Sequence, residues 1–145
     1  MHRITPFLWF DGNAEAAMHF YVSVFPDSKV LSVSPMMVSF ELEGQRFYGL
    51  NGGPDYRFTE AVSFLVDCET QEEVDTLWSK LTEGGQPGRC GWLKDRFGLS
   101  WQIIPKALGR LMGDPDRARA GRVMQAMLTM GKIDIAGLQR AYDQG

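Results

Sequence analysis

Histidine and cysteine are scarce in this chain of 145 residues, with two of each. Cys68 and Cys90 form neither a CxxC pair nor a disulfide framework, so in a reducing compartment both read as small buried hydrophobes. Runs of Lys or Arg long enough to track a phosphate backbone are also missing, and 15 basic against 18 acidic residues leave a formal net charge of -3. The densest basic patch, Arg117-Ala118-Arg119-Ala120-Gly121-Arg122, reads as a solvated helix face, so nucleic acid is not an expected partner. No apolar stretch approaches the roughly 18 residues that a bilayer span requires. The start, Met1-His2-Arg3-Ile4-Thr5-Pro6, has neither the apolar core nor the small-residue cleavage site of a signal peptide. No membrane association is expected, and a cytoplasmic location is. The length suits one domain able to bury a real core.

What is present is a pattern that occurs twice. A strand over residues 4–10 ends in Asp11-Gly12-Asn13 and leads into a helix over 14–25, with Asn13 as N-cap and Pro26 as stop. Strands are predicted at 29–34, 37–42 and 46–50, with Glu43-Gly44-Gln45 turning between the last two, so this half, about 1–55, reads βαβββ. The pattern then restarts. Residues 61–67 form a strand that again ends in aspartate, Thr70-Gln71-Glu72-Glu73 is a capping box, and Val74, Leu77, Trp78 and Leu81 make one apolar stripe on the helix that follows. A hairpin over 91–104 completes a second half of about 60–105, and an internal duplication of about sixty residues is the simplest organisation. From 106 to 145 the chain is helical, over 107–112, 117–130 and 135–142, with Asp134 as the last N-cap. Val123, Met124, Met127 and Met130 give the middle helix an apolar face suited to adaptable packing or a subunit contact.

The closing strand of the hairpin carries the most information. Alternation sends Leu99, Trp101 and Ile103 to one face and Ser100, Gln102 and Ile104 to the other, the pattern of a strand covered on one side and lining a cleft on the other.

Four segments, Ile4-Thr5-Pro6-Phe7-Leu8-Trp9-Phe10-Asp11-Gly12-Asn13-Ala14-Glu15-Ala16, Leu50-Asn51-Gly52-Gly53-Pro54, Cys68-Glu69-Thr70-Gln71-Glu72-Glu73-Val74-Asp75 and Gly91-Trp92-Leu93-Lys94-Asp95, resemble the PhnB-like branch of the vicinal oxygen chelate superfamily. Its relatives include glyoxalase I, extradiol dioxygenases and bleomycin-resistance proteins, and branch members are often labelled 3-demethylubiquinone-9 3-methyltransferase domain proteins. The resemblance spans about residues 4–142. It implies an α+β fold in which tandem βαβββ modules form a curved mixed sheet with a cleft, followed here by C-terminal helices.

Enzymes of the superfamily hold a divalent metal in that cleft, which requires three or four His, Glu or Asp ligands aimed at one point. By resemblance the four ligand positions fall at Ile4 or Thr5, at Asn51, at Glu60 or Ala61, and at Gln102. Only Glu60 among them is a strong ligand. His2 lies at the terminus and His19 on the first helix, so a chelating centre is not expected and no cofactor is implied. Asn51 and Gln102 offer neutral donors and acceptors instead, either to an organic ligand or to each other or a buried water. If Thr5 faces the cleft, alternation brings Phe7 and Trp9 with it, Phe47 joins Asn51, and Ser63 and Ser100 come from the second half. Such walls suit a flat or apolar small molecule better than a phosphate or dicarboxylate.

Three functional readings follow. The first is a metal-free small-molecule binding protein, expected to be a homodimer, with no catalytic group identified. The second is a metal-dependent lyase or dioxygenase of glyoxalase type. The third takes the methyltransferase label literally, but Asn51-Gly52-Gly53-Pro54 does not open a helix as a glycine-rich cofactor turn must.

Overall fold

The computed structural model describes residues 3–144, so the reading of His2 lies outside the described residues. The chain divides after Phe58 into two compact units.

The first unit runs β1 (Phe7–Phe10), α1 (Ala14–Val24), β2 (Ser28–Val33), β3 (Met37–Leu42) and β4 (Gln45–Asn51). Its sheet order is β1-β4-β3-β2, with β1 parallel to β4 and the other pairs antiparallel. Strand β1 begins later than the alternation predicts, because Pro6 has no N–H to give the ladder and contributes only its carbonyl, which accepts from the Tyr48 amide at 3.0 Å. Helix α1 packs on β3 and β4 through Ala14, Ala17, Met18, Tyr21 and Val24. Beneath it Phe40 stacks on Tyr21 at 6.1 Å and on Phe47 at 5.3 Å. The β3–β4 turn needs only two residues, Glu43 and Gly44, both with positive φ, a twist that matches paired strands. Asn13 occupies the N-cap position, but its side chain makes no capping bond. The first amide of α1 is bonded from the sheet instead, where Asn51 Oδ1 accepts from Ala14 N at 2.9 Å.

The second unit repeats the topology with β5 (Ser63–Cys68), α2 (Gln71–Thr82), β6 (Gln86–Pro87), β7 (Trp92–Lys94) and β8 (Ser100–Pro105) in the order β5-β8-β7-β6. Strand β5 is parallel to β8. Strand β6 has no alternation to betray it, being two residues long and ending in proline. The capping box forms as the sequence predicts at one end and overshoots at the other. Thr70 Oγ1 accepts from Glu73 N at 3.1 Å, while Glu73 Oε1 accepts from Glu69 N at 3.2 Å. Val74, Leu77 and Leu81 of α2 are buried, as are Leu93, Trp101 and Ile103 on the strands it covers. Each module therefore closes its own four-stranded mixed sheet, and with the five helices of the described residues the architecture is α+β.

Helices α3 (Lys106–Met112), α4 (Arg117–Leu128) and α5 (Ile135–Asp143) extend the second unit around a separate apolar cluster of Leu108, Leu111, Val123, Ile133 and Leu138. Met112, Met127 and Met130 pack against that cluster, so most of the predicted methionine face is used within the chain, while Met124 and Leu128 stay exposed. The basic run of α4 is also spent internally. Arg117 donates to the carbonyls of Met112 and Asp114, Arg122 to those of Ala141 and Tyr142, and Arg119 lies 5.0 Å over the Tyr142 ring. Asp134 makes no side-chain cap for α5; Gln71 of α2 does so, its Oε1 accepting from Ile135 N at 2.7 Å. Among the described residues no helix is long and apolar enough to cross a membrane.

Candidate functional site

In each unit the helix covers one sheet face, and the residues of interest are those on the opposite face. In the first unit the register Phe7↔Tyr48 and Trp9↔Leu50 places these four side chains together on the face opposite α1. Phe7 is 56% exposed and lies 5.7 Å from the Tyr48 ring. Thr5 precedes the strand and is half-buried. Trp9 is held by the loop that follows β4. Its indole N–H donates to the Gly53 carbonyl at 2.9 Å, Tyr56 meets it edge-on at 4.9 Å, and a Cβ on Gly52 would overlap the ring. That close approach explains Gly52, and a φ of 98° explains Gly53.

Phe47 and Asn51 do not join these residues. The same register pairs Leu8 with Gly49 and Phe10 with Asn51, which turns Phe47, Gly49 and Asn51 toward α1. Phe47 is 7% exposed and belongs to the core. Asn51 caps α1 with its oxygen and donates its amide nitrogen to the Pro35 carbonyl at 3.0 Å. Both polar ends of Asn51 are thus committed to structure, which corrects the expectation that it lines a cleft.

In the second unit the expected grouping forms. The register Ser63↔Ser100↔Lys94 makes one row across β5, β8 and β7, and Leu65↔Gln102↔Trp92 makes the next, all on the face opposite α2. Gln102 Nε2 donates to Ser63 Oγ at 2.9 Å. Leu65 is 56% exposed, and Trp92 is half-buried. Ser100 is 1% exposed, yet its hydroxyl has no hydrogen-bond partner. Glu60, just before β5, pairs with the Lys94 ammonium, and that hydrogen bond and charge hold its carboxyl below the usual carboxylate range. Lys94 and Trp92 are additions to the residues picked from the sequence. Their signal was available, since alternation on the hairpin's first strand gives them one common face.

Asp95 organises this hairpin. Its Oδ1 accepts from Phe97 N at 2.8 Å and Leu99 N at 3.1 Å, and its Oδ2 accepts from Trp101 Nε1 at 2.9 Å. Neither Cys68 nor His19 adds chemistry here. Burial pushes the Cys68 thiol up to about 12, and exposed His19 pairs with Glu15 one helical turn away.

The residues do not fit a divalent metal. Glu60 is the one carboxylate among the expected ligand positions, Gln102 spends its amide nitrogen on Ser63 and has only a neutral oxygen to offer, and both ends of Asn51 are occupied. Among the described residues, no three or more His, Cys, Asp or Glu side chains gather into a group that could hold a metal ion.

Comparison with known proteins places these features in a family. Residues 2–104 match the model of the 3-demethylubiquinone-9 3-methyltransferase family. The PhnB protein of Bacillus cereus is 36% identical, with 72% of this chain and 99% of that one covered and a TM-score of 0.67. A glyoxalase-related enzyme from Fulvimarina pelagi, 15% identical, covers 74% of this chain and 90% of its own with a TM-score of 0.56. A glyoxalase/bleomycin resistance protein from Albidiferax ferrireducens T118, 11% identical, covers 70% and 96% with a TM-score of 0.53; these two share the fold. No curated protein matches. The family match stops at residue 104, short of the span to 142 suggested by the sequence, because α3, α4 and α5 add a core of their own after the second module closes. Two βαβββ units and the matched span together make this chain a PhnB-like member of the 3-demethylubiquinone-9 3-methyltransferase family.

Proposed function

We propose that the chain is a small-molecule binding protein that works without a metal, through the face of its second unit opposite α2. The observation that carries this reading is the Gln102–Ser63 hydrogen bond of 2.9 Å, an amide and a hydroxyl at the position where a chelating relative would need a charged ligand. Half-buried Trp92 and exposed Leu65 flank Gln102 in register and offer an apolar surface to a ligand body. A glyoxalase-type lyase or dioxygenase would have to draw Glu60 away from Lys94 and find further ligands. Methyl transfer, the activity in the family's description, wants a glycine-rich turn opening a helix. Asn51-Gly52-Gly53-Pro54 leads instead into residues 55–62, which hold no helix. The same reading takes the protein to be a cytoplasmic homodimer, with Met124 and Leu128 as exposed apolar candidates for the contact.

The test is incubation with excess nickel or zinc, desalting and metal analysis, followed by a thermal-shift screen of aromatic ligands. The expected outcome is no metal retention and a ligand-induced shift that Gln102→Ala abolishes. Near-stoichiometric retention lost in Glu60→Ala would overturn the reading.

A further inference from the structure

The Ser100 hydroxyl is the one buried side-chain polar group among the described residues without a hydrogen-bond partner. Such a group is costly unless something bonds to it, and native structures contain few. It stands at the start of β8, between Ser63 on β5 and Lys94 on β7. Because β8 lies between the other two strands, the Lys94 side chain must cross the end of β8 on Ser100's own face to reach Glu60, three residues before Ser63.

The serine hydroxyls of this row can each still donate as well as accept, and the Lys94 ammonium, a donor only, fixes the sign of what the row can take up. The Ser100 proton has no acceptor, the Ser63 oxygen accepts from Gln102 while its own proton is uncommitted, and the Lys94 ammonium spends its charge on one exposed carboxylate. Two hydroxyls able to donate beside one cation suit an acceptor group of single negative charge. Solvent-exposed ion pairs contribute little net stability, so Glu60 is an exchangeable partner.

We propose that Lys94, Ser100 and Ser63 form a carboxylate subsite in which Glu60 occupies the lysine alone, and that a monocarboxylate displacing Glu60 also reaches the Ser100 hydroxyl, buried while the ion pair is closed, with its apolar or aromatic body along Trp92 and Leu65. This rests on the small-molecule reading above and names its ligand class. A single ammonium beside an apolar row matches a monocarboxylate better than a phosphate or dicarboxylate, and the charge-assisted bond to Lys94 supplies the discrimination.

Benzoate and its neutral isostere benzamide, titrated against the full chain and followed by tryptophan fluorescence and amide NMR shifts on β7 and β8, test this directly. The expected result is benzoate binding at least about tenfold more tightly than benzamide. Lys94→Met should erase that preference, Ser100→Ala should weaken benzoate severalfold, and Glu60→Gln should strengthen it by removing the competing carboxylate. Glu60→Gln is a surface change that keeps the side-chain shape, so it reads displacement without threatening the fold. Equal binding of the two probes would overturn the carboxylate subsite and leave the small-molecule reading standing. Weaker benzoate binding in Glu60→Gln would overturn the displacement. Neither probe shifting any β7 or β8 signal at millimolar concentration would overturn both.

Discussion

The two units share one topology and differ on the face their helix does not cover. In the first unit that face carries the rings of Phe7, Trp9 and Tyr48 with Leu50, beside Ser39 bonded to Ser32; in the second it carries Ser63, Lys94, Ser100 and Gln102 beside Leu65 and Trp92, with Glu60 paired to the lysine. The helix-covered faces are alike in being apolar, with Phe10, Phe40 and Phe47 in one and Leu93, Trp101 and Ile103 in the other. A duplicated scaffold is held by what packs under its helix, which leaves the other face free to acquire separate chemistries. The hairpins differ in the same way. Glu43 and Gly44 turn β3 into β4 by backbone conformation alone, whereas the β7–β8 hairpin is closed by the buried carboxylate of Asp95.

Truncating one phenylalanine on each face of the first unit is the hardest test of that division. Phe47→Ala removes a buried ring stacked on Phe40 and is expected to cost about 3–5 kcal/mol in denaturant unfolding. Phe7→Ala, on the exposed face, should stay within about 1 kcal/mol. Similar losses for the two would mean that both faces are core and that the contrast between the units is false.

This pair also shows where the sequence stops being legible. Alternation within β1 groups Phe7 with Trp9, and within β4 groups Phe47 with Asn51, and both groupings are correct. Which group faces the helix depends on the β1–β4 register, Phe7↔Tyr48 rather than Phe7↔Phe47, and a parallel register between distant strands leaves no mark on either strand alone. In the second unit Ser63, Ser100 and Gln102 come together as expected, because the β5–β8 register pairs Ser63 with Ser100. The two helix caps hid for the same reason, since Asn51 and Gln71 act across the fold while Asn13 and Asp134 hold the positions that local rules select. Module order, the capping box and the two-residue turn were readable because each is decided by neighbours in the chain.

Asp95 offers the next largest effect. Asp95→Ala leaves two amides and the Trp101 indole N–H without their acceptor at a buried place, and a loss of about 3 kcal/mol is expected. Asp95→Asn should keep the turn bonds and set an amide donor against the indole, so near-ultraviolet dichroism of Trp101 should change even where stability largely survives. A loss in Asp95→Ala no larger than that of an exposed turn residue would show that backbone conformation closes this hairpin too.

Asn51→Ala tests the first unit's own polar anchor. Removing the cap from α1 is expected to cost about 1 kcal/mol, read from unfolding and from faster exchange of the Ala14 amide. Ligand binding through the second unit should be untouched. A binding defect at unchanged stability would restore Asn51 to a site.

The smallest expected effect concerns what only the second unit possesses, its C-terminal helices. Two aspartates fasten them: Asp75 of α2, bonded to Lys132 and Gln71, and Asp114, which accepts from the Tyr142 hydroxyl at 2.7 Å. Those bonds hold both carboxyls below the ordinary aspartate range, with Lys132 the chief cause for Asp75 and Tyr142 for Asp114. Each group therefore binds its proton more weakly folded than unfolded. Its stabilising contribution is whole above the unfolded value of about 3.9 and is lost as pH falls through the lower folded value. Both carboxylates are half-buried and still largely screened by solvent, so the effect is local rather than a collapse of the fold. Between about pH 5 and pH 2, amide exchange in α4 and α5 should rise before exchange in α1, and Lys132→Met or Tyr142→Phe should raise the α4 and α5 rates already at neutral pH. Exchange that rises together in α1, α4 and α5 would mean that these carboxylates do not set the acid response of the second unit apart from that of the first.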